Sequence, residues 1–257
     1  MLLIEPKRVI EGHIRSMHKQ ILALILIIFT PLVTLWNSLS YSEEYTECTK
    51  CHKTDSNLKG KFVHPAVQMG CAVCHSNAHK KDAKDPLGLA LDDVPQLCFN
   101  CHDSKMFEGK VIHPPAASGT CTFCHNPHSS NTEKLLTSPV PQLCYNCHQK
   151  FDRKIVHAPV AAGLCLLCHT PHAGSNESLL LKPLNDICIE CHPQVPKMEH
   201  VIARGHPLFF KNDPIRKGKE FTCVSCHNPH DSDSMLLFRY KVEGGDKYLL
   251  CEHCHKK

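Results

Sequence analysis

Apolar residues are unevenly spread along this chain. One continuous apolar run, Ile21 to Trp36, lies near the N-terminus, and no later run is long enough to span a membrane. Lys7, Arg8, Arg15 and Lys19 precede it and Ser38-Leu39-Ser40 follow it. That order of basic, apolar and small residues is the layout of a secretory signal peptide. The run is shorter than the about 20 residues a spanning helix needs, and Pro31 interrupts it. Residues 1–40 are therefore read as an export signal, with Met17 as an alternative start and an uncleaved N-terminal anchor as the competing reading. No cysteine precedes Cys48, which argues against lipid attachment at a processed N-terminal cysteine.

After residue 40 the apolar residues come as short clusters: Leu87 to Leu91, Leu135-Leu136, Leu179 to Leu181 and Leu236-Leu237. Single apolar residues, Leu97, Leu143, Ile187 and Leu250, each sit directly before a cysteine. Eighteen prolines, 12 glycines and frequent Asn and Asp punctuate the rest. The pattern predicts short α-helices joined by long irregular loops, with almost no sheet. Aromatics make up only 6% of the residues, too few to build a conventional core.

The chemistry comes from the cysteines. All eighteen fall into nine copies of Cys-x-x-Cys-His. The pairs are Cys48 and Cys51, Cys71 and Cys74, Cys98 and Cys101, Cys121 and Cys124, Cys144 and Cys147, Cys165 and Cys168, Cys188 and Cys191, Cys223 and Cys226, and Cys251 and Cys254. The histidines that follow are His52, His75, His102, His125, His148, His169, His192, His227 and His255. Cysteines three residues apart share one face of a helical turn. Both sulfurs can then reach the vinyl groups along one porphyrin edge, and the next residue can turn its imidazole onto the iron. The motif is the c-type haem attachment signature. Structural zinc needs two cysteine pairs per site and gives no reason for a histidine after each. Thioredoxin-like pairs require a βαβ context that is missing, and a disulfide framework does not demand the histidines. Nine covalent haem c groups, held by these thioethers with the nine motif histidines as proximal ligands, are expected to take the place of the core, the covalent links acting as staples.

The motifs alternate. The second, fourth, sixth and eighth are followed by a further histidine, His79, His128, His172 and His230, and preceded by His64, His113, His157 and His206 near a proline. The third, fifth, seventh and ninth carry the preceding Leu or Ile. The chain thus reads as a signal (1–40), a single-haem segment (41–60) and four two-haem repeats (61–110, 111–153, 154–198 and 199–257). Arrays of this kind are built from units too small to fold alone. On these motifs the chain resembles the multihaem c-type cytochromes of the doubled-C-x-x-C-H type, over about residues 48–255. The resemblance implies an elongated molecule built around a chain of haems, and it is closest to periplasmic members that pass electrons toward an outer-membrane conduit. The first repeat departs from the pattern with Ala78 where the others have proline. The fourth has seventeen positions from His206 to Cys223 against seven or eight elsewhere.

Whether such a chain conducts electrons or binds a small molecule depends on the sixth ligand of each iron. Of 21 histidines, nine are proximal, His13 and His18 belong to the export segment, and His253 lies inside the last motif. Nine remain as distal candidates for nine irons: His64, His79, His113, His128, His157, His172, His200, His206 and His230. Methionine is the competing ligand, but Met69, Met106, Met198 and Met235 do not recur at a fixed place.

Charge excludes one class of partner. Removing residues 1–40, with four basic and two acidic residues, lowers the net charge from +4 to +2. Propionates would take the loaded protein to about −7 oxidised and about −16 reduced, so no nucleic-acid surface is read from the basic sequence. The sequence is therefore read as a periplasmic electron carrier with no catalytic residues. Its partners would be redox proteins: an outer-membrane porin conduit or an inner-membrane quinol dehydrogenase. The competing readings are a multihaem reductase or oxidase of a small nitrogen or sulfur compound at one open haem, an anchored quinol dehydrogenase subunit, and assembly into haem filaments.

Overall fold

The computed structural model describes residues 48–52, 56–79, 88–89, 94–195, 211–242 and 249–255. The export segment, His200 and His206 lie outside the described residues. No helix among the described residues is long and apolar enough to cross a membrane.

Secondary structure is short and local, as the clustered apolar pattern predicts. The helices Val94–Phe99, Gln142–Tyr145, Leu184–Cys191 and Leu249–Glu252 carry motifs three, five, seven and nine. Motifs two, four and six open on single 3-10 turns, Cys71–Val73, Cys121–Phe123 and Cys165–Leu167. Motif eight opens on the helical turn Cys223–Cys226. In all nine motifs the histidine N–H donates to the carbonyl of the first cysteine, at 2.8–3.1 Å. One helical turn therefore fixes the two sulfurs and the imidazole relative to one another. None of the eighteen cysteines is in a disulfide.

A second set of short helices follows the histidine before each even motif: Pro65–Met69, Pro114–Ala117 and Ala158–Ala161. Each has proline in its first turn, where the missing N–H has no helical acceptor and the fixed φ suits the start. The next motif then has to come close. At Gly163 φ is +74°, and a Cβ there would stand 2.7 Å from Pro141 Cδ, just before motif five.

Among the described residues the sheet content is six two-residue strands, β1 (Phe62–Val63), β2 (Val111–Ile112), β3 (Ser129–Ser130), β4 (Ile155–Val156), β5 (Ala173–Gly174) and β6 (Asp231–Ser232). They pair antiparallel as β1·β3, β2·β5 and β4·β6. Each pair joins the strand before one repeat's first histidine to the strand after the next repeat's even motif. The chain forms two compact units, Met1–Asp92 with His128–Ser130, and Asp93–Pro127 with Asn131–Lys257. The first holds β1·β3; the second holds the other two pairs.

Among the described residues only Val67, Phe221 and Phe238 are buried apolar side chains, and no large side chain is fully buried. The leucine clusters carry an unusual backbone. Lys134-Leu135, Ser178-Leu179 and Leu236-Leu237 are each consecutive residues with φ of 55–57°. Left-handed backbone costs a residue with a Cβ about 1–2 kcal/mol. Neighbouring hydrogen bonds hold these turns in place: Asn126, Thr170 and Asn228 donate to the carbonyls of Leu135, Leu179 and Leu237, and Thr137, Leu181 and Arg239 donate to those of Cys124, Cys168 and Cys226. Leu236 and Leu181 point largely outward, 61% and 51% exposed.

Two stability changes are expected. Ser178→Gly removes a left-handed penalty at an exposed position and should stabilise the haem-loaded protein by about 0.5–1 kcal/mol, read as a higher thermal midpoint. Gly109→Ala should lower the midpoint by the equivalent of about 1–3 kcal/mol, because the new Cβ would stand 2.7 Å from the Gly174 carbonyl oxygen across β2·β5.

Candidate functional site

The motif histidines face other histidines. In the first unit the His52 ring centre lies 6.2 Å from that of His79, and His75 lies 5.8 Å from His128. In the second unit the pairs are His113 with His148 at 6.0 Å, His125 with His172 at 6.0 Å, His157 with His192 at 6.3 Å and His169 with His230 at 6.0 Å. Two nitrogens each about 2 Å from one metal ion, with about 1 Å more to each ring centre, put the centres about 6 Å apart. The six pairs match that spacing, so their donor sets fit an iron ion held between two imidazoles. In each pair one ring belongs to a C-x-x-C-H motif and the other is one of the distal candidates. His79, at the departure from the repeat pattern, sits opposite His52 with φ of +64° and no proline before it.

Strand pairing sets which rings meet. The His64 N–H donates to the His128 carbonyl at 2.7 Å, His113 to His172 at 2.8 Å and His157 to His230 at 2.9 Å. Each strand pair thus delivers two histidines side by side, one from each of two successive repeats. At β2·β5, His113 turns to His148 and His172 turns to His125, the two motif histidines of the second repeat. At β4·β6, His157 and His230 do the same for His192 and His169 in the third.

Seven histidine rings are held by neighbours that the sequence reading did not find. The Nδ1 atoms of His125, His169 and His227 lie 2.8–2.9 Å from the carbonyl oxygens of Lys134, Ser178 and Leu236, the first left-handed residue of each strained turn. The Nδ1 atoms of His113 and His157 lie 2.9 Å from the carbonyls of Pro171 and Pro229. A carbonyl only accepts, so Nδ1 carries the proton and Nε2 is left as the ligating nitrogen. The strain in the turns is located where it aims a carbonyl at a motif histidine. His172 and His230 are braced by phenylalanine instead, Phe107 at 4.9 Å and Phe151 at 4.3 Å. The signal was present: both phenylalanines stand six residues before a pre-motif histidine. Burial, and then the nearby His125 and His113, hold His172 below the ordinary imidazole range; burial and then His169 do the same for His230. Both are neutral at pH 7, the form that binds metal.

Of the other candidates, His64 is half-buried and follows β1 directly. His253 lies 4.5 Å from the Tyr240 ring. His200 and His206 lie outside the described residues.

The cysteines show how successive motifs adjoin in the second unit. Burial and then Cys147 push the Cys124 thiol up; burial and then Cys191 push up Cys168; burial and then Cys254 push up Cys226. Burial and then Cys165 push up Cys144. A hydrogen bond with Cys223 is the main cause that pushes up Cys188. Motif four thus adjoins five through second cysteines, five adjoins six through first cysteines, and the alternation continues to motif nine.

Comparison with known proteins agrees with this reading. The model of the doubled CXXCH motif family matches residues 64–107, 113–153, 157–197 and 212–257. Over 115 residues the chain is 33% identical to the multiheme cytochrome MtrA of Shewanella baltica (strain OS185), a match covering 42% of this chain and 33% of that protein. Four matched pairs of haem-attachment motifs, spread over most of the chain, make it a multihaem c-type cytochrome of the doubled CXXCH motif family, with covalently bound haem c.

Proposed function

We propose that the protein is a periplasmic electron carrier with nine haem c groups, passing electrons along the order of its motifs. The observation that carries this reading is the set of six histidine pairs, each joining a motif histidine to a second histidine at 5.8–6.3 Å between ring centres. When bound, each haem supplies one-electron ferric/ferrous chemistry, with a potential that its axial ligands and surroundings tune.

The chain's own residues attach, align and close the sites. The thioether cysteines fix each ring edge. On this reading His79, His128, His148, His172, His192 and His230, with their partners, fill both axial positions of six irons. A filled sixth position leaves no place for a substrate, which favours conduction over a reductase or oxidase. The remaining motif histidines, His102, His227 and His255, match in number the remaining candidates His64, His200 and His206. The Nδ1 bonds and phenylalanine contacts keep the imidazoles in place, so little rearrangement is needed between redox states.

Location and partners rest on the sequence. The order of residues 1–40 supports export, and likeness to a multiheme cytochrome supports redox proteins as partners. An outer-membrane porin conduit and an inner-membrane quinol dehydrogenase are the partners proposed.

Nine haems per chain should be found when haem, measured as its pyridine complex, is divided by protein from amino-acid analysis; eight or fewer would refute the count. The oxidised protein should show no high-spin ferric signal in electron paramagnetic resonance. His172→Ala should introduce about one high-spin equivalent and carbon monoxide binding after reduction. A substantial high-spin fraction in the unaltered protein would instead favour the open-haem enzyme.

A further inference from the structure

The fourth repeat differs from the others at motif eight. In motifs two, four and six the residue before the second cysteine is apolar and exposed: Val73 at 42%, Phe123 at 71% and Leu167 at 53%. In motif eight that residue is Ser225, 5% exposed. It is covered by the insertion before the motif, whose described part folds back on itself through the bond from the Asp213 N–H to the Lys219 carbonyl, 2.8 Å.

The insertion encloses a carboxylate. The Asp213 side chain is 3% exposed. Its Oδ1 accepts from the backbone N–H groups of Ile215 and Arg216 at 2.9 and 2.8 Å, and Oδ2 accepts from Arg216 Nε at 2.7 Å. Arg216 continues inward, donating through Nη2 to Ser225 Oγ at 2.8 Å. Ser225 Oγ in turn accepts from the Thr222 N–H at 2.9 Å. A line of hydrogen bonds therefore runs from a buried carboxylate into the haem-attachment motif. Buried ion pairs contribute little net stability relative to apolar packing.

We propose that Asp213 and its counter-charge Arg216 set the potential of the haem site at motif eight. This rests on the reading that motif eight carries haem. Ferric haem carries one more positive charge than ferrous, so the carboxylate favours the ferric state and lowers the potential, while the guanidinium acts the opposite way. Asp213 is a positioning residue in this sense: it acts on the redox centre through its field and through Arg216 and Ser225.

The test uses the full haem-loaded protein. Peptide mass spectrometry first establishes whether Cys223 and Cys226 carry haem; bare thiols there would refute the haem reading itself. With haem in place, potentiometric titration followed by visible and paramagnetic spectra gives the potentials. Asp213→Asn, nearly identical in shape, should shift one haem about tenfold toward the ferrous state, equivalent to about 59 mV for one electron. Arg216→Gln should shift the same haem the opposite way, and Arg216→Lys, which keeps the charge, should leave it near the parent value. Unchanged potentials in Asp213→Asn, shifts of the same sign in Asp213→Asn and Arg216→Gln, or an Arg216→Lys protein behaving like Arg216→Gln would each overturn the proposal. Should Asp213→Asn lose haem, the Arg216→Gln and Arg216→Lys pair decides alone.

Discussion

The structure depends on one recurring interaction, the antiparallel pairing of two-residue strands from successive repeats. Each pair brings two histidines together through a single backbone hydrogen bond, from His113 to His172 and from His157 to His230. Their side chains then diverge to two different motif histidines. A repeat therefore cannot complete its own two sites; the ring opposite its even motif comes from the repeat that follows. This is the physical basis for an array in which single units are too small to fold. With so few buried apolar side chains, covalently held haem takes the place that a hydrophobic core fills in other small domains.

Around that framework the chain gives each of the four pairs at motifs four to seven a means of orientation. At motifs four and six the motif histidine is held by the carbonyl of a left-handed turn, and its partner by a phenylalanine. At motifs five and seven the partner histidine is held by a proline carbonyl. The prolines of the C-x-x-C-H-x-Pro-His segments therefore matter through their carbonyls as well as their fixed φ. The strain of six left-handed residues without glycine is retained because three hydrogen bonds converge on each turn. That is the behaviour expected of backbone strain at a functional position.

The two ends of the array depart from the repeat in different ways. At the front, Ala78 replaces proline, and His79 reaches His52 from a left-handed backbone. In the fourth repeat, a longer connection encloses Asp213 and Arg216 and covers Ser225. Departures of this kind are legible as spacing changes, but their chemistry is not. Nothing in the sequence of the insertion separates a buried ion pair from a solvated charged loop.

The sequence by itself determined the cofactor chemistry, the number of attachment motifs, the short local helices and the set of histidines available as second ligands. Each of these is written in contiguous residues: a five-residue motif closes its own helical turn, and a proline starts the helix beside it. The tertiary structure decided which histidine faces which, because that choice follows from the register of strands some sixty to eighty residues apart. It also decided what the leucine clusters and phenylalanines do. Lys134-Leu135 and Ser178-Leu179 contain no glycine to announce a left-handed turn. Phe107 and Phe151 acquire their role only when a histidine from two repeats further along is laid against them. Local order came from local sequence, whereas the pairing of ligands required contacts between repeats that no single segment contains.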